Sequence, residues 1–330
     1  MPEADPLSRE SGDDIVTPLR LRPAASPSVT VRVPAKVNLH LAVGPVRKDG
    51  FHELVSVYHA VSLYDEVVVE PADELSVNVV GEGAGEVPTD SDNLAARAVS
   101  AVAAVLGRAP DVAITVRKGI PVAGGMAGGS ADAAAALVAV DALWGGELDR
   151  VTLEGLAAGL GSDVAFLLHG GSALGTGRGE AISPVLTQGE YHWVLAVADG
   201  GMSTTAVYAE IDTMRDERPL PRIGAPDGVL AALRAGDAVA LGRVLANDLQ
   251  PASLRIRPQL QRVLDAGRDL GAVGAVVSGS GPTVALLARS AAESVRIASS
   301  LAGLAVCRTV RRAHGPVAGA RVVPPDSAAG

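Results

Sequence analysis

Cysteine is almost absent from this 330-residue chain. Cys307 stands alone, which excludes an internal disulfide framework and a cysteine-ligated metal and fits a reducing compartment. Aromatic residues are equally scarce, at 2% of the sequence, so the core must be packed from Ala, Val and Leu. Lysine occurs only at Lys36, Lys48 and Lys118, which leaves three candidates for any chemistry that needs an ammonium. No uninterrupted apolar run reaches about 18 residues, the length of a membrane span, and the N-terminus lacks the apolar core of a signal peptide. The expectation is therefore a cytoplasmic protein with no membrane segment. A net charge of −9 argues against a nucleic-acid surface. Hydrophobic residues, in contrast, make up 48% of the chain. That content excludes a disordered protein, and the length predicts two domains.

Glycine is plentiful and is densest where Pro121, Val122, Ala123, Gly124, Gly125, Met126, Ala127, Gly128, Gly129, Ser130 and Ala131 follow one another. Ser130 and Asp132 suit a helix start, offering a side-chain oxygen for orphan N–H groups and a carboxylate for the first turn. Leu137, Val140 and Trp144 then recur at helical spacing until Gly145-Gly146 stops the pattern. A side-chain-poor loop running into a helix N-terminus leaves backbone N–H groups free to converge on an anion, and phosphate suits that geometry best. The loop is no Walker A, since no lysine follows its second glycine pair. Its glycine spacing also departs from the dinucleotide-binding fingerprint, although Val112–Arg117 reads as a strand before it. A tight strand–helix packing turn is the plainer reading, but such a turn needs one or two glycines and not four within six positions.

Elsewhere the pattern predicts strands over 28–33 and 37–43, and two more over 54–69 broken near Tyr64-Asp65. Helices are expected over 93–106, 152–160, 204–211, 226–245, 258–270 and 291–301, with strands near 193–197, 272–277, 284–287 and 305–309. The later β-β-α-β run resembles half of a split βαβ layer. Residues 1–27 and 315–330 read as disordered tails, and a boundary near residue 185 divides 28–185 from 186–314.

Three further segments carry chemistry-bearing residues. In Pro34-Ala-Lys36-Val-Asn38-Leu a lysine and an amide fall on one side of a strand, where a solvent-facing edge is the plain alternative. In Leu160-Gly-Ser-Asp163-Val-Ala-Phe166 an acid lies between a helix and an expected apolar strand, a place that also suits a turn or cap. Val277-Ser-Gly279-Ser-Gly281-Pro-Thr283 is a glycine turn between strands. No histidine spacing suggests a metal site.

Taken together, these segments resemble the GHMP kinase superfamily, which places a strand lysine or arginine, a Pro-x-x-x-Gly-x-x-x-Ser loop and a C-terminal glycine turn in this order. Lys48-Asp-Gly-Phe-His-Glu-Leu54 and the Lys-Val-Asn strand narrow the resemblance to the branch acting on CDP-methylerythritol in the non-mevalonate isoprenoid pathway. It runs from about residue 28 to 314. Ala123 and Ala127 stand where the family often has glycine, Ala165 where proline is usual, and Ser278 where threonine is common.

The resemblance implies an α+β, two-domain GHMP kinase fold, with an N-terminal ribosomal-protein-S5-like domain and a C-terminal ferredoxin-like domain. It implies ATP held along residues 121–131 and Mg²⁺ near the hydroxyl of Ser130. It further implies catalysis by Lys36 and Asp163, with Asp163 as base on the C2 hydroxyl of the methylerythritol unit. Asn38, Phe51, His52, Thr204 and Tyr208 are its substrate-binding positions: Phe51 and Tyr208 flank the cytosine, and His52 reads it by imidazole or backbone. For each of these aromatics, taken singly, core packing is as good a reading. Arg178 falls in a strand turn, Gly175-Thr-Gly-Arg-Gly-Glu180, near the same place. The expected partners are a small-molecule substrate, with no nucleic acid and no membrane, and a monomer or weak homodimer. Phosphorylation of homoserine or a mevalonate-type alcohol, or nucleotide binding without turnover, are the rival functions.

Overall fold

The computed structural model describes residues 27–146, 148–218, 220 and 222–324. The first half builds a layer in the order β1 (Val29–Val46), β2 (His52–Pro71), β3 (Ser76–Gly81), α1 (Leu94–Leu106), β4 (Val112–Lys118), α2 (Gly128–Leu143), α3 (Arg150–Leu160), α4 (Ser162–His169), β5 (Ser172–Thr176) and β6 (Ala181–Pro184). The second half continues with β7 (Tyr191–Val197), α5 (Thr204–Glu217), α6 (Asp227–Ala235), α7 (Ala238–Val244), β8 (Ala246–Asn247), α8 (Gln250–Ile256), α9 (Gln259–Asp269), β9 (Gly274–Val277), β10 (Val284–Ala288), α10 (Ala291–Gly303), β11 (Thr309–Gly315) and β12 (Arg321–Val322). Among the described residues no helix is long and apolar enough to cross a membrane.

Two sheets organise these elements. The larger runs β12-β1-β2-β4-β3, with β5 and β6 extending from β2 and β8 lying parallel to β1. The smaller runs β11-β7-β10-β9, all antiparallel. In chain order that is fourth, first, third, second, the ferredoxin-like arrangement expected for the second half. The class is α+β.

Helix α2 is the centre of the first half. Ala131, Ala133, Ala134, Ala135, Ala136 and Ala139 are all fully buried along it. A run of alanines is the best helix former, and its short side chains let neighbouring backbones approach closely on every side. α1 and α4 pack on this helix, and β1 and β2 lie beneath it. The N-terminus of α2 therefore opens at a fixed place above β1.

Several expectations are corrected. The strands over 28–33 and 37–43 are one, β1, with a register shift at Pro34/Ala35. The break at Tyr64-Asp65 is the matching irregularity in a continuous β2, because the prolyl ring at 34 removes a ladder donor without ending the pairing. Residues after Asp163 are helical in α4, not a strand: an apolar run of this length has no period that separates the two. The helix expected over 226–245 divides at Gly236, which has φ 68°, and Asp237, whose carboxylate caps Val239 and Ala240. The strand expected over 305–309 lies at 309–315. The C-terminal tail expected from residue 315 is structured at its start, since Ala318 bridges Gly170 and β12 pairs with Val31 and Arg32. The tail expected at 1–27 falls, except for its last residue, outside the described residues, as does the end beyond 324. The chain passes between sheets in the β6–β7 connection, yet β8 and β12 return to β1, so the division at 185 is not a division by sheet.

Candidate active site

Alternation along β1 sends Lys36 and Asn38 to one face and Val37 and Leu39 to the other, and the register shift between Asn38 and His40 then brings Leu41 onto the side of Lys36. All five are buried. Lys36 is no solvent-facing edge residue: its Nζ donates to Asn38 Oδ1 at 2.7 Å and stands 3.7 Å from Asp163 Oδ2. Asn38 Nδ2 donates to Ser56 Oγ at 2.8 Å, and that hydroxyl donates to the His40 carbonyl at 3.1 Å. The chain of bonds fixes which way the Asn38 amide faces, so its oxygen is aimed at Lys36. Asp163 sits in the first turn of α4, its side chain 30% exposed and without a hydrogen bond among the described residues.

The glycine loop arches over this pair. The amide of Lys36 donates to the Met126 carbonyl at 3.3 Å. Helix α2 begins at Gly128, two residues before Ser130, and among the described residues its N-cap, Ala127, offers no side-chain hydrogen bond. Its first ladder bond runs from the Ala131 amide to the Ala127 carbonyl, which leaves the amides of Gly128, Gly129 and Ser130 ahead of the ladder. Asp132 lies too deep to serve the helix start. It accepts instead from Lys118 at 2.8 Å, beside Asp65. Ala123 and Ala127, with φ of 49° and 64°, hold the left-handed backbone that glycine adopts without strain.

The C-terminal turn closes the arrangement from the other sheet. Ser278 Oγ donates to the Gly125 carbonyl at 3.1 Å, and the Thr283 amide donates to the Gly124 carbonyl at 3.3 Å. A Cβ on Gly125 would collide with the Ser278 carbonyl oxygen, and one on Gly279 would lie 3.1 Å from Lys36 Nζ. Three segments far apart in sequence thus meet at one lysine.

They wall a cavity of about 760 Å³ that Asp163, Phe51, His52, Thr204 and Tyr208 also line. His52 Nε2 lies 3.0 Å from Asp212 Oδ1, and its ring centroid is 5.0 Å from that of Tyr208. Phe51 is 55% exposed at the rim, with the Arg178 guanidinium 5.1 Å above its ring. Thr204 Oγ1 and Ser280 Oγ are 3.1 Å apart. Lys36, Asn38, Ser130 and those five side chains thus line one cavity with loop residues 123–125 and 127–129. Pro121, Val122, Met126 and Ala131 do not line it: Met126 and Ala131 are fully buried, and Val122 lines the smaller cavity. A second cavity, of about 290 Å³, adjoins the outer side of the loop and is lined by Val87, Pro88, Leu94, Val122, Lys118 and Asp132.

Sequence reasoning missed Tyr58 and Asp212. Tyr58 pairs with Asn38 across β1 and β2, lines the cavity and stacks on Phe166 at 5.0 Å. Burial, and then the negative charge of Asp163, push its hydroxyl well above the ordinary tyrosine value, so it remains a donor. Burial followed by the same carboxylate also raises Tyr208. Asp212 follows Thr204 and Tyr208 at i+8 and i+4 on α5, a spacing that marks one helix face.

Comparison with known proteins agrees with this geometry. Residues 93–171 match the family model for the GHMP kinases N terminal domain, and residues 229–304 match that for GHMP kinases C terminal. The chain is 60% identical over 306 residues to the 4-diphosphocytidyl-2-C-methyl-D-erythritol kinase of Mycolicibacterium gilvum, covering 92% of this chain and 95% of that one. It is 57% identical over 296 residues to the enzyme of the same name from Mycobacterium tuberculosis, covering 90% and 93%. A crystal structure of 4-(cytidine 5'-diphospho)-2C-methyl-D-erythritol kinase superposes with a TM-score of 0.69 at 33% identity, covering 86% of this chain and 98% of that one. By motif order, cavity and overall likeness, the chain belongs to the GHMP kinases, within the 4-diphosphocytidyl-2-C-methyl-D-erythritol kinase family.

Proposed function

We propose that this chain transfers the γ-phosphoryl group of ATP to the C2 hydroxyl of 4-diphosphocytidyl-2-C-methyl-D-erythritol, a step in making isoprenoid precursors. The observation that carries the reading is the meeting of Lys36 and Asp163, 3.7 Å apart, under the glycine loop. A carboxylate without a hydrogen bond can take the proton of an attacking hydroxyl. An ammonium held beside it by Asn38 can offset charge on the transferring group. Phosphoryl transfer asks little covalent chemistry of a protein, so positioning and charge carry the catalysis.

In the proposed reaction the C2 oxygen forms a bond to the γ-phosphorus while the bond to the β–γ bridging oxygen breaks. ADP leaves, and the hydroxyl proton passes to Asp163. The amides of Gly128, Gly129 and Ser130 and the positive end of α2 hold the phosphates. The smaller cavity beside the loop is of a size for the purine.

Among the described residues no group of three His, Cys, Asp or Glu side chains could hold a metal. Mg²⁺ bound with ATP takes ligands from phosphates and water as well as from protein oxygens. The hydroxyl of Ser130, half-buried in the first turn of α2 and lining the cavity, would join them. When bound, the ion neutralises phosphate charge.

On the acceptor side, Phe51 and Tyr208 offer aromatic faces for the cytosine, and His52, against Tyr208, offers a polar reader. Asn38 keeps one amide N–H free for the erythritol end, and Thr204 reaches the same nucleotide. The test is ADP release by the purified chain with ATP and Mg²⁺. Release should depend on the cytidine substrate and stay at background with homoserine or mevalonate. Turnover of either alcohol at a comparable rate, or nucleotide binding with no ADP release, would refute the assignment.

A further inference from the structure

The imidazole of His52 is held by an acid from the opposite half of the chain. His52 begins β2, whereas Asp212 lies two turns into α5. Nε2 is 3.0 Å from one carboxylate oxygen of Asp212 and 3.1 Å from the other. His52 is 9% exposed, and Tyr208, one helical turn before Asp212, tilts against its ring at 43°. Histidine and acid both line the larger cavity. Nδ1 makes no hydrogen bond among the described residues and is not one of the sealed, unpartnered atoms. One nitrogen is thus pinned, and the other is left for a ligand.

A carboxylate only accepts hydrogen bonds, so the proton of the contact resides on Nε2. The neutral ring then presents Nδ1 as an acceptor. Cytosine carries an exocyclic amine, a donor that such a nitrogen satisfies. Uracil carries a carbonyl oxygen at the same position, which would set acceptor against acceptor in a buried place. A site that hydrogen-bonds one group rejects the analogue lacking it far more strongly than an apolar pocket does.

We propose that Asp212 is the positioning residue that fixes the His52 tautomer, so that Nδ1 accepts from the exocyclic amine and excludes a uracil-bearing substrate. The inference rests on the base-reading role given to His52 above. Asp212 touches no reacting atom; it acts through the ring, and Tyr208 limits how far the ring can turn.

The experiment uses the full chain and two substrates, the cytidine compound and its uridine counterpart. Asp212→Ala removes the acceptor, and Asp212→Lys supplies a donor that forces the ring proton to Nδ1. The ratio of kcat/KM for cytidine over uridine should fall about tenfold in the first variant, mostly through KM for the cytidine substrate. It should fall further in the second. Nitrogen NMR of histidine-labelled protein, without substrate, should place the proton on Nε2 in the parent and on Nδ1 in Asp212→Lys, a readout that mere structural support would not move. An unchanged ratio and unchanged ring shifts in both variants would overturn the proposal. His52→Gln separates the two levels. If it leaves KM for the cytidine substrate unaltered, the base-reading role itself fails. If it raises KM while the Asp212 variants change nothing, only the tautomer assignment fails.

Discussion

Lys36 and Lys118 are buried to the same degree, 5% and 6% exposed, and differ in what surrounds them. Lys118 ends β4 and is clamped by Asp65 and Asp132. Asp65 also accepts from the amides of Gly119 and Ile120, at 2.7 and 2.8 Å. Burial alone would lower the Lys118 pKa, but the Asp132 and Asp65 carboxylates outweigh it and hold it above the ordinary value. Lys36 has one amide oxygen and a carboxylate at 3.7 Å, and it faces a cavity. A buried cation that is fully paired braces the fold. One left incompletely paired on a cavity wall is available for a ligand's negative charge.

The largest effect that follows concerns turnover. Lys36→Ala and Asp163→Asn should each cut kcat by about a thousandfold, and the double variant little more, because residues acting as a unit are not additive. Rates of ADP release, with circular dichroism as a check on folding, decide this; a loss below about tenfold in either variant would remove the contrast.

For Lys118 the expected loss is stability. Lys118→Ala leaves two buried carboxylates without their cation and should cost about 3–5 kcal/mol in urea unfolding. Lys36→Ala should cost clearly less by the same measurement. If the order were reversed, the division between bracing and available lysine would be wrong.

A third buried base sharpens the comparison. His59 is fully buried; Nδ1 shares a 2.8 Å hydrogen bond with Ser172 Oγ, and Nε2 has no hydrogen-bond partner among the described residues. Burial lowers its pKa to about 3, so it stays neutral where Lys118 stays charged. Because the folded value is depressed, its contribution is complete above the unfolded value of about 6.5 and drains away as pH falls toward 3. Between pH 7 and pH 5 the chain should lose about 2 kcal/mol on this account, and His59→Gln should flatten that slope. A slope unchanged by the substitution would mean that other groups carry it.

The smallest effect lies in the loop. Ala127→Gly relieves a left-handed alanine but frees the unfolded chain, so stability should rise by no more than about 1 kcal/mol. A loss of stability would show that the methyl group packs usefully against the base of the loop.

The contrast between the lysines also marks where sequence reading stopped. Lys36, Asp163 and the loop were legible because their residue types sit in short, ordered motifs. The Lys118 clamp was not: Asp65, Lys118 and Asp132 are linked only by strand pairing and the seating of α2, and Asp132 read naturally as a helix-start acid. Asp212 was hidden for the opposite reason. Its spacing from Thr204 and Tyr208 was visible, but nothing local showed that His52 would stand opposite. Helices with clear caps, such as that begun by Asn93, were placed within a residue. The strand expected after Asp163 became a helix because a short apolar run has no period to choose by. The return of β8 and β12 to β1 is long-range pairing, which no local pattern encodes.

The most direct measurement is a crystal structure with a non-hydrolysable ATP analogue and the cytidine substrate bound together. The account predicts the C2 hydroxyl within about 3.2 Å of an Asp163 carboxylate oxygen, in line with the γ-phosphorus, and the Lys36 ammonium beside the γ-phosphate oxygens. A complex in which both side chains lie remote from the terminal phosphate would contradict it.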